Sequence, residues 1–257
     1  MCRLLCVATG GIVPHQAMSA FKRLSREGRE RPGGMGGYRT GWGIAYFPGG
    51  RLRLVRELGD AYSSVRYDET AHMTGSNPEV RLLIGNLWGA PSKELALGPS
   101  GRERVAPFPG TDREGNQWIF AFDGRVGPSR EGGEAFAPSP VKETEGQRVF
   151  REILGGLPPR RDAPEAVAEL LRGAVRRIAR DYSVEAINFA LSDGRWIFLG
   201  RFVEKEEPWN ELHLCRTPKA VVGCSEPLAV EGWRWDPLGR RELAAFNEGL
   251  EVNFHEL

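Results

Sequence analysis

The chain has 257 residues, 40% of them hydrophobic, and 35 basic against 34 acidic side chains give it a formal net charge of +1. That length and apolar share can bury a sizeable core without disulfide or metal staples and exclude a disordered tail. Although 30 of the 35 basic residues are arginine, the cancelled charge lacks the basic excess of a nucleic-acid-binding domain, so no nucleic-acid partner is expected.

Leu4–Ala8 reads as a short buried strand that Gly10 and Gly11 end, and a helix is expected from about His15 to Glu27 with Ala17, Phe21 and Leu24 on one face. RPGGMGGYR, residues 31–39, reads as a loop. GWGIAYF, the turn PGG at 48–50 and RLRLVREL then form a hairpin signature. RLLIGNLW at 81–88 and QWIFAF at 117–122 are expected core strands separated by a Gly/Pro/Ser-rich loop.

After a loop at 127–140, Thr144 followed by Gln147 has the spacing of a capping box, and Val149, Phe150, Ile153 and Leu154 supply a buried stripe that Gly155 and Gly156 stop. Pro164 opens the most regular helix, in which Val167, Leu170, Leu171, Ala174, Val175 and Ile178 follow the helical period. VEAINFALS, a turn at Ser192-Asp193-Gly194 and RWIFLGRFV form a second hairpin, and HLCR and AVVGCS add two strands. Strands, then two helices, then strands again predict an α+β fold of antiparallel sheets covered by helices, as one domain over residues 1–257.

The glycines at 33–37 lack the GK[ST] ending of a phosphate loop and the spacing of a dinucleotide turn, and no GxSxG elbow is present. Cys2, Cys6, Cys215 and Cys224 match neither metal knuckles nor a small disulfide framework, so neither a metal nor another cofactor is expected. No secretory signal is legible, and no apolar run approaches the roughly 18 residues of a membrane span. A reducing, cytoplasmic setting without a membrane partner is expected. Cys2 stands out: if Met1 is removed, one residue carries both a thiol and an α-amine, whose ordinary pKa of about 7.7–8.0 suits it to accept the thiol proton. The alternative is a small hydrophobe that begins a strand, as Cys6 does.

MCRLL at the start, GWGIAY at 41–46, IGNLWGA, FAFDG through Gly124 and SEPL at 225–228 together resemble, in order, a class II glutamine amidotransferase domain of the stand-alone type. That family lies in the N-terminal-nucleophile hydrolase superfamily. The resemblance implies a four-layer αββα sandwich. It also implies that Cys2 attacks a glutamine side-chain amide, releases ammonia and leaves a thioester that water hydrolyses. Gly124 would donate its backbone N–H to the oxyanion.

Several positions depart from the family pattern. Asn86, Trp88 and Pro91 stand where it has His, an Arg that grips the substrate carboxylate, and Thr. An indole offers one neutral N–H where a guanidinium offers a two-pronged charged one, so Trp88 reads as a substrate contact or as a packing residue. Asp123 occupies the place of the oxyanion-hole Asn, and Phe122 that of His. Only a protonated Asp123 would donate there; otherwise Asp123-Gly124 reads as a turn closing strand 117–122. Glu145 replaces the Asp that holds the substrate ammonium, and its other reading is a first-turn helix acid. Thr40 stands ahead of a retained Trp42 and Gly43. Arg3, Arg39 and Arg125 are candidates for the missing anchor.

Two function classes follow. The first is an amide hydrolase acting on glutamine or a related small amide, with Cys2, Asp123 and Gly124 as catalytic candidates and Arg3, Trp88 and Glu145 as substrate-binding ones. No synthase domain is legible, so its ammonia would go to solvent or to an unidentified acceptor protein. The second is a catalytically degenerate member with a binding or assembly role.

Overall fold

The computed structural model describes residues 2–30, 37–89, 101–132, 136, 143–157 and 164–257. The glycine-rich stretch at 31–36 and the segment 90–100, both expected to be loops, lie outside them.

Two antiparallel sheets form the two middle layers. The first contains β1 (Cys2–Thr9), β2 (Gly41–Tyr46), β3 (Arg53–Leu58), β4 (Leu82–Trp88), β9 (His213–Arg216), β10 (Ala220–Cys224) and the short β11 (Asp236–Pro237), in the order β11-β9-β10-β1-β4-β2-β3. The second contains β5 (Phe108–Thr111), β6 (Gln117–Ser129), β7 (Tyr182–Ser192), β8 (Trp196–Val203), β12 (Arg241–Asn247) and β13 (Val252–Glu256), in the order β13-β12-β8-β7-β6-β5. Four helices cover the outer faces among the described residues: α1 (His15–Glu27) and α2 (Val65–Ser76) on the first sheet, α3 (Glu145–Leu154) and α4 (Pro164–Asp181) on the second. These are the helix-covered antiparallel sheets that the element order predicts, in the αββα layering that the resemblance implies.

Burial on both faces explains why β1 reads as a continuous apolar run and not as an alternating one. Its Leu4, Cys6 and Ala8 join the layer between the sheets, whereas Leu5 and Val7 pack with Ala17 and Phe21 of α1. Thr144 and Gln147 form the capping box of α3 reciprocally, and Gly194 takes a φ of +85° in the β7–β8 turn.

Three expectations need correction. β1 starts at Cys2 and not at Leu4, because its pairing with β4 extends to Cys2 opposite Trp88. Asp123-Gly124 is not a turn: β6 continues through both residues to Ser129, paired with β7, and takes up the first part of the expected loop at 127–140. The helix α2 and the strands β11, β12 and β13 have no counterpart in the sequence pattern, and β5 lies in the stretch between 88 and 117 expected to be loop, where it pairs with β6. In α2 the buried face is formed by Tyr67, Thr70, Ala71 and Thr74, a polar-looking set. Thr70 donates its hydroxyl to the Arg66 carbonyl at 2.7 Å and Thr74 to the Thr70 carbonyl at 2.9 Å, so their polarity is satisfied within the helix.

Candidate active site

β1 lies in the middle of the first sheet, between β10 and β4, and faces β6 and β7 of the second. Alternation along the strand aims Cys2 the same way as Leu4 and Cys6, into the space between the sheets at the end where β1 begins. The lateral neighbours of Cys2 are set by register: Trp88 of β4 is directly opposite, and Gly41 of β2 lies beyond it. Trp88 is buried and packs with Val105 against Cys2.

The second sheet brings Asp123 to this point. On β6, Phe122 turns toward Gly146 of α3, so its neighbour Asp123 turns the opposite way, toward β1. Asp123 Oδ1 accepts the backbone N–H of Cys2 at 3.2 Å. Its Oδ2 accepts Nη1 of Arg3 at 3.1 Å and the Ser225 hydroxyl at 3.5 Å. Burial raises the Asp123 carboxyl above the ordinary Asp range, while the Arg3 charge pulls in the other direction.

Arg3 is 1% exposed and fully engaged. Nε donates to Glu226 Oε1 at 2.6 Å, Nη1 also reaches the carbonyl oxygens of Cys2 at 3.1 Å and Trp209 at 3.4 Å, and Nη2 donates to the Arg29 carbonyl. The guanidinium also lies 4.6 Å from the ring centre of Tyr38. Its donors are committed to the protein's own groups, which leaves no two-pronged fork for an incoming carboxylate.

The Asn86 side chain lies close enough to the Cys2 thiol to act on it, and its Nδ2 donates to the Arg3 carbonyl at 3.3 Å. Burial pushes this thiol up to about 11; the positive chain terminus opposes the rise most, the Asp123 charge adds to it, and Asn86 and Arg3 oppose it more weakly. Oδ1 of Asn86 is buried without a protein partner, as is Oδ1 of Asn188, the residue opposite Asp123 on β7.

Gly124 follows Asp123 on β6, where a Cβ would overlap the Ala186 carbonyl oxygen and meet the Phe122 ring. Glu145 opens α3 and accepts the Val126 N–H at 3.1 Å; burial raises its carboxyl above the usual range. Arg125, exposed and two residues past Asp123, is near enough for its charge to act on Glu145. The structure therefore gathers Cys2, Arg3, Trp88 and Asp123 into one cluster, with Gly124 adjoining it and Glu145 attached through β6.

Sequence reasoning missed Asn86, Ser225, Glu226 and Tyr38 as members of the cluster. Ser225 and Glu226 fall in the quoted SEPL segment, which was the available signal. Asn86 stood out only as a departure from a pattern, and nothing in the local sequence marks Tyr38.

A family model described as class-II glutamine amidotransferases matches residues 1–225. Among solved structures, a glutamine phosphoribosylpyrophosphate amidotransferase from B. subtilis superposes with a TM-score of 0.66 at 12% identity, covering 99% of this chain and 49% of that one. The chain thus spans about half the length of that enzyme. A glutamine aminotransferase class-II domain protein from Silicibacter pomeroyi gives a TM-score of 0.58 at 14% identity, with 99% of each chain covered. A predicted glutamine amidotransferase from Pseudomonas aeruginosa PA01 gives 0.51 at 20% identity, covering 97% of this chain and 94% of that one. At these identities the structural likeness is one of fold. No curated protein matches the chain.

Proposed function

The chain belongs to the class-II glutamine amidotransferase family, and from that premise we propose that it hydrolyses the side-chain amide of glutamine or a related small amide with Cys2 as nucleophile, once Met1 has been removed. One observation carries the reading. Cys2 opens the central strand with its nitrogen on Asp123 Oδ1 at 3.2 Å and its side chain packed against Trp88 and Val105, so both reactive ends of the residue are held between the two sheets.

In the proposed reaction the Cys2 sulfur attacks the amide carbon while the thiol proton passes to the neutral α-amine of the same residue. Pairing the two groups matters here because burial alone would hold the thiol protonated at neutral pH. The carbonyl oxygen becomes an oxyanion, for which the Gly124 N–H is the proposed donor. Collapse breaks the C–N bond, the α-ammonium returns its proton to the departing ammonia, and a thioester remains. Water then adds to the thioester, releasing the carboxylic acid and restoring the thiol.

Arg3 acts in this reading by holding Asp123 and Glu226 in place, Trp88 by walling the Cys2 side of the site, and Glu145 by offering a carboxylate to a substrate amine. The whole chain is proposed to work as one amidotransferase-type domain in a reducing, cytoplasmic compartment, with ammonia passing to solvent or to an acceptor protein. No helix among the described residues is long and apolar enough to cross a membrane.

The test is ammonia release from glutamine and a panel of small primary amides by the parent protein and its Cys2→Ala variant, with intact mass recorded for each. The expected result is release by the parent and none by the variant. Equal release by both would overturn the mechanism, and no release by a Met1-free parent from any amide would favour a binding or assembly role.

A further inference from the structure

Asp123 sits where a carboxylate is a poor oxyanion donor, yet the structure gives it definite work. The buried cluster around it holds one positive charge, on Arg3, and two negative ones, on Asp123 and Glu226, all 8% exposed or less. At the rim Arg29 and Glu211 pair at 2.9 Å and cancel, while Arg29 Nε is 3.9 Å from Glu226. Among the side chains the cluster is therefore one positive charge short, the positive chain terminus being the other charge that acts on Asp123, and burying an uncompensated charge is costly. The atom that already faces Asp123 Oδ1 is the nitrogen of Cys2.

We propose that Asp123 is a positioning residue whose Oδ1 binds the α-ammonium group of Cys2, closing the charge balance of the buried cluster. This rests on the removal of Met1 in the reading above. The free terminus supplies the missing charge at hydrogen-bond distance from its counter-ion, and Ser225 and Arg3 fix the other carboxylate oxygen. For catalysis the resting ammonium first gives a proton to water, the neutral α-amine so formed takes the thiol proton, and the ammonium that re-forms faces the same carboxylate, which stabilises it. The proton later leaves with ammonia, and Asp123 itself neither gains nor loses one.

Several other groups bear on this pair. Cys2 and Arg3 come from β1, Glu226 from the segment after β10, and Tyr38 from the segment before β2. Arg201 extends the Asp123–Asn188 row on β8, and Arg125, Glu145 and Glu185 form a more distant set. His213 lies 3.7 Å from Glu211 at the rim. Of these, Cys2 and Arg3 touch Asp123 directly through hydrogen bonds to its carboxylate.

The experiment is NMR titration of protein carrying 13C-labelled cysteine, following the Cys2 Cα and Cβ signals in the parent and in Asp123→Asn, with intact mass establishing the N-terminus. An opposite charge in contact raises an amine's midpoint by about 1 to 3 pH units. The parent α-amine is expected to titrate above its ordinary range of about 7.7–8.0, and the variant midpoint to fall by at least about one unit. A parent midpoint at or below the ordinary range overturns the proposal even if the variant fails to fold, and so does an unchanged midpoint in a folded variant. Retained Met1 in protein from the native host overturns the preceding reading and this proposal with it. Met1-free protein with an ordinary amine overturns this proposal alone.

Discussion

Arg3 and Glu226 lie 223 positions apart in the chain, yet Arg3 Nε donates to Glu226 Oε1 at 2.6 Å in a buried ion pair. The same oxygen accepts the Arg29 N–H at 2.7 Å, so one carboxylate ties β1, the end of β10 and the segment after α1 together. Without Glu226, Arg3 still pairs with Asp123, but Arg3 Nε and the Arg29 N–H lose their acceptor in a buried place. Glu226→Ala is expected to cost about 1–3 kcal/mol in urea unfolding, and Glu226→Gln, which keeps an acceptor for both donors, clearly less. Equal stability of Glu226→Ala and the parent would contradict this role.

Thiol reactivity should separate the cysteines. Cys2 is partly exposed with its thiol raised to about 11, whereas Cys224 is buried and raised to about 12, and burial raises Cys6 as well. Iodoacetamide labelling read by peptide mass should modify Cys2 first. With Met1 retained its rate should keep rising well above the ordinary Cys value of about 8.5. Removal of Met1 should lower that midpoint, because a positive α-ammonium then adjoins the thiol. Identical profiles for the two forms would count against the amine–thiol partnership.

Gly124→Ala should damage both stability and activity. Its Cβ would overlap the Ala186 carbonyl oxygen of the neighbouring strand, which cannot move without shifting β7. Overpacking of this kind costs about 1–3 kcal/mol, and displacement of β6 moves Asp123 off Cys2. Gly173→Ala in α4 serves as the contrast: its Cβ would meet only Arg177 Nη1, at 3.6 Å. That substitution should gain about 0.5–1 kcal/mol from helix propensity. Urea midpoints and ammonia release on both variants check the pair.

Glu145 gives a signed dependence on pH. Its folded carboxyl is raised by burial above the unfolded value of about 4.3. Its contribution is therefore fully present below that value and is lost as pH rises through the folded pKa. Asp123 contributes in the same sense. Glu145→Gln removes this term, so the variant should compare better with the parent at pH 7 than at pH 4 in urea unfolding. The reverse order would show that the Val126 hydrogen bond outweighs burial.

Much of the fold was legible because its signals are local. The bounds of α1, the capping box of α3, the periodic face of α4 and the Gly194 turn each depend on residues within a few positions of one another. The helix α2 escaped because threonines that bond their own backbone make a buried face look polar. The Asp123-Gly124 pair resembles a turn on residue type alone, and only its partners on β7 show that the strand continues.

By itself the sequence determined a layered α+β protein with a cysteine at its second position, because strand, helix and turn signals are short-range and a thiol's chemistry travels with the residue. Tertiary structure alone decided what surrounds that cysteine. Asn86, Asp123 and the adjacent pair Ser225-Glu226 come from three separate places in the chain, and their charges and hydrogen bonds have meaning only after sheet register and the packing of two sheets bring them to one point.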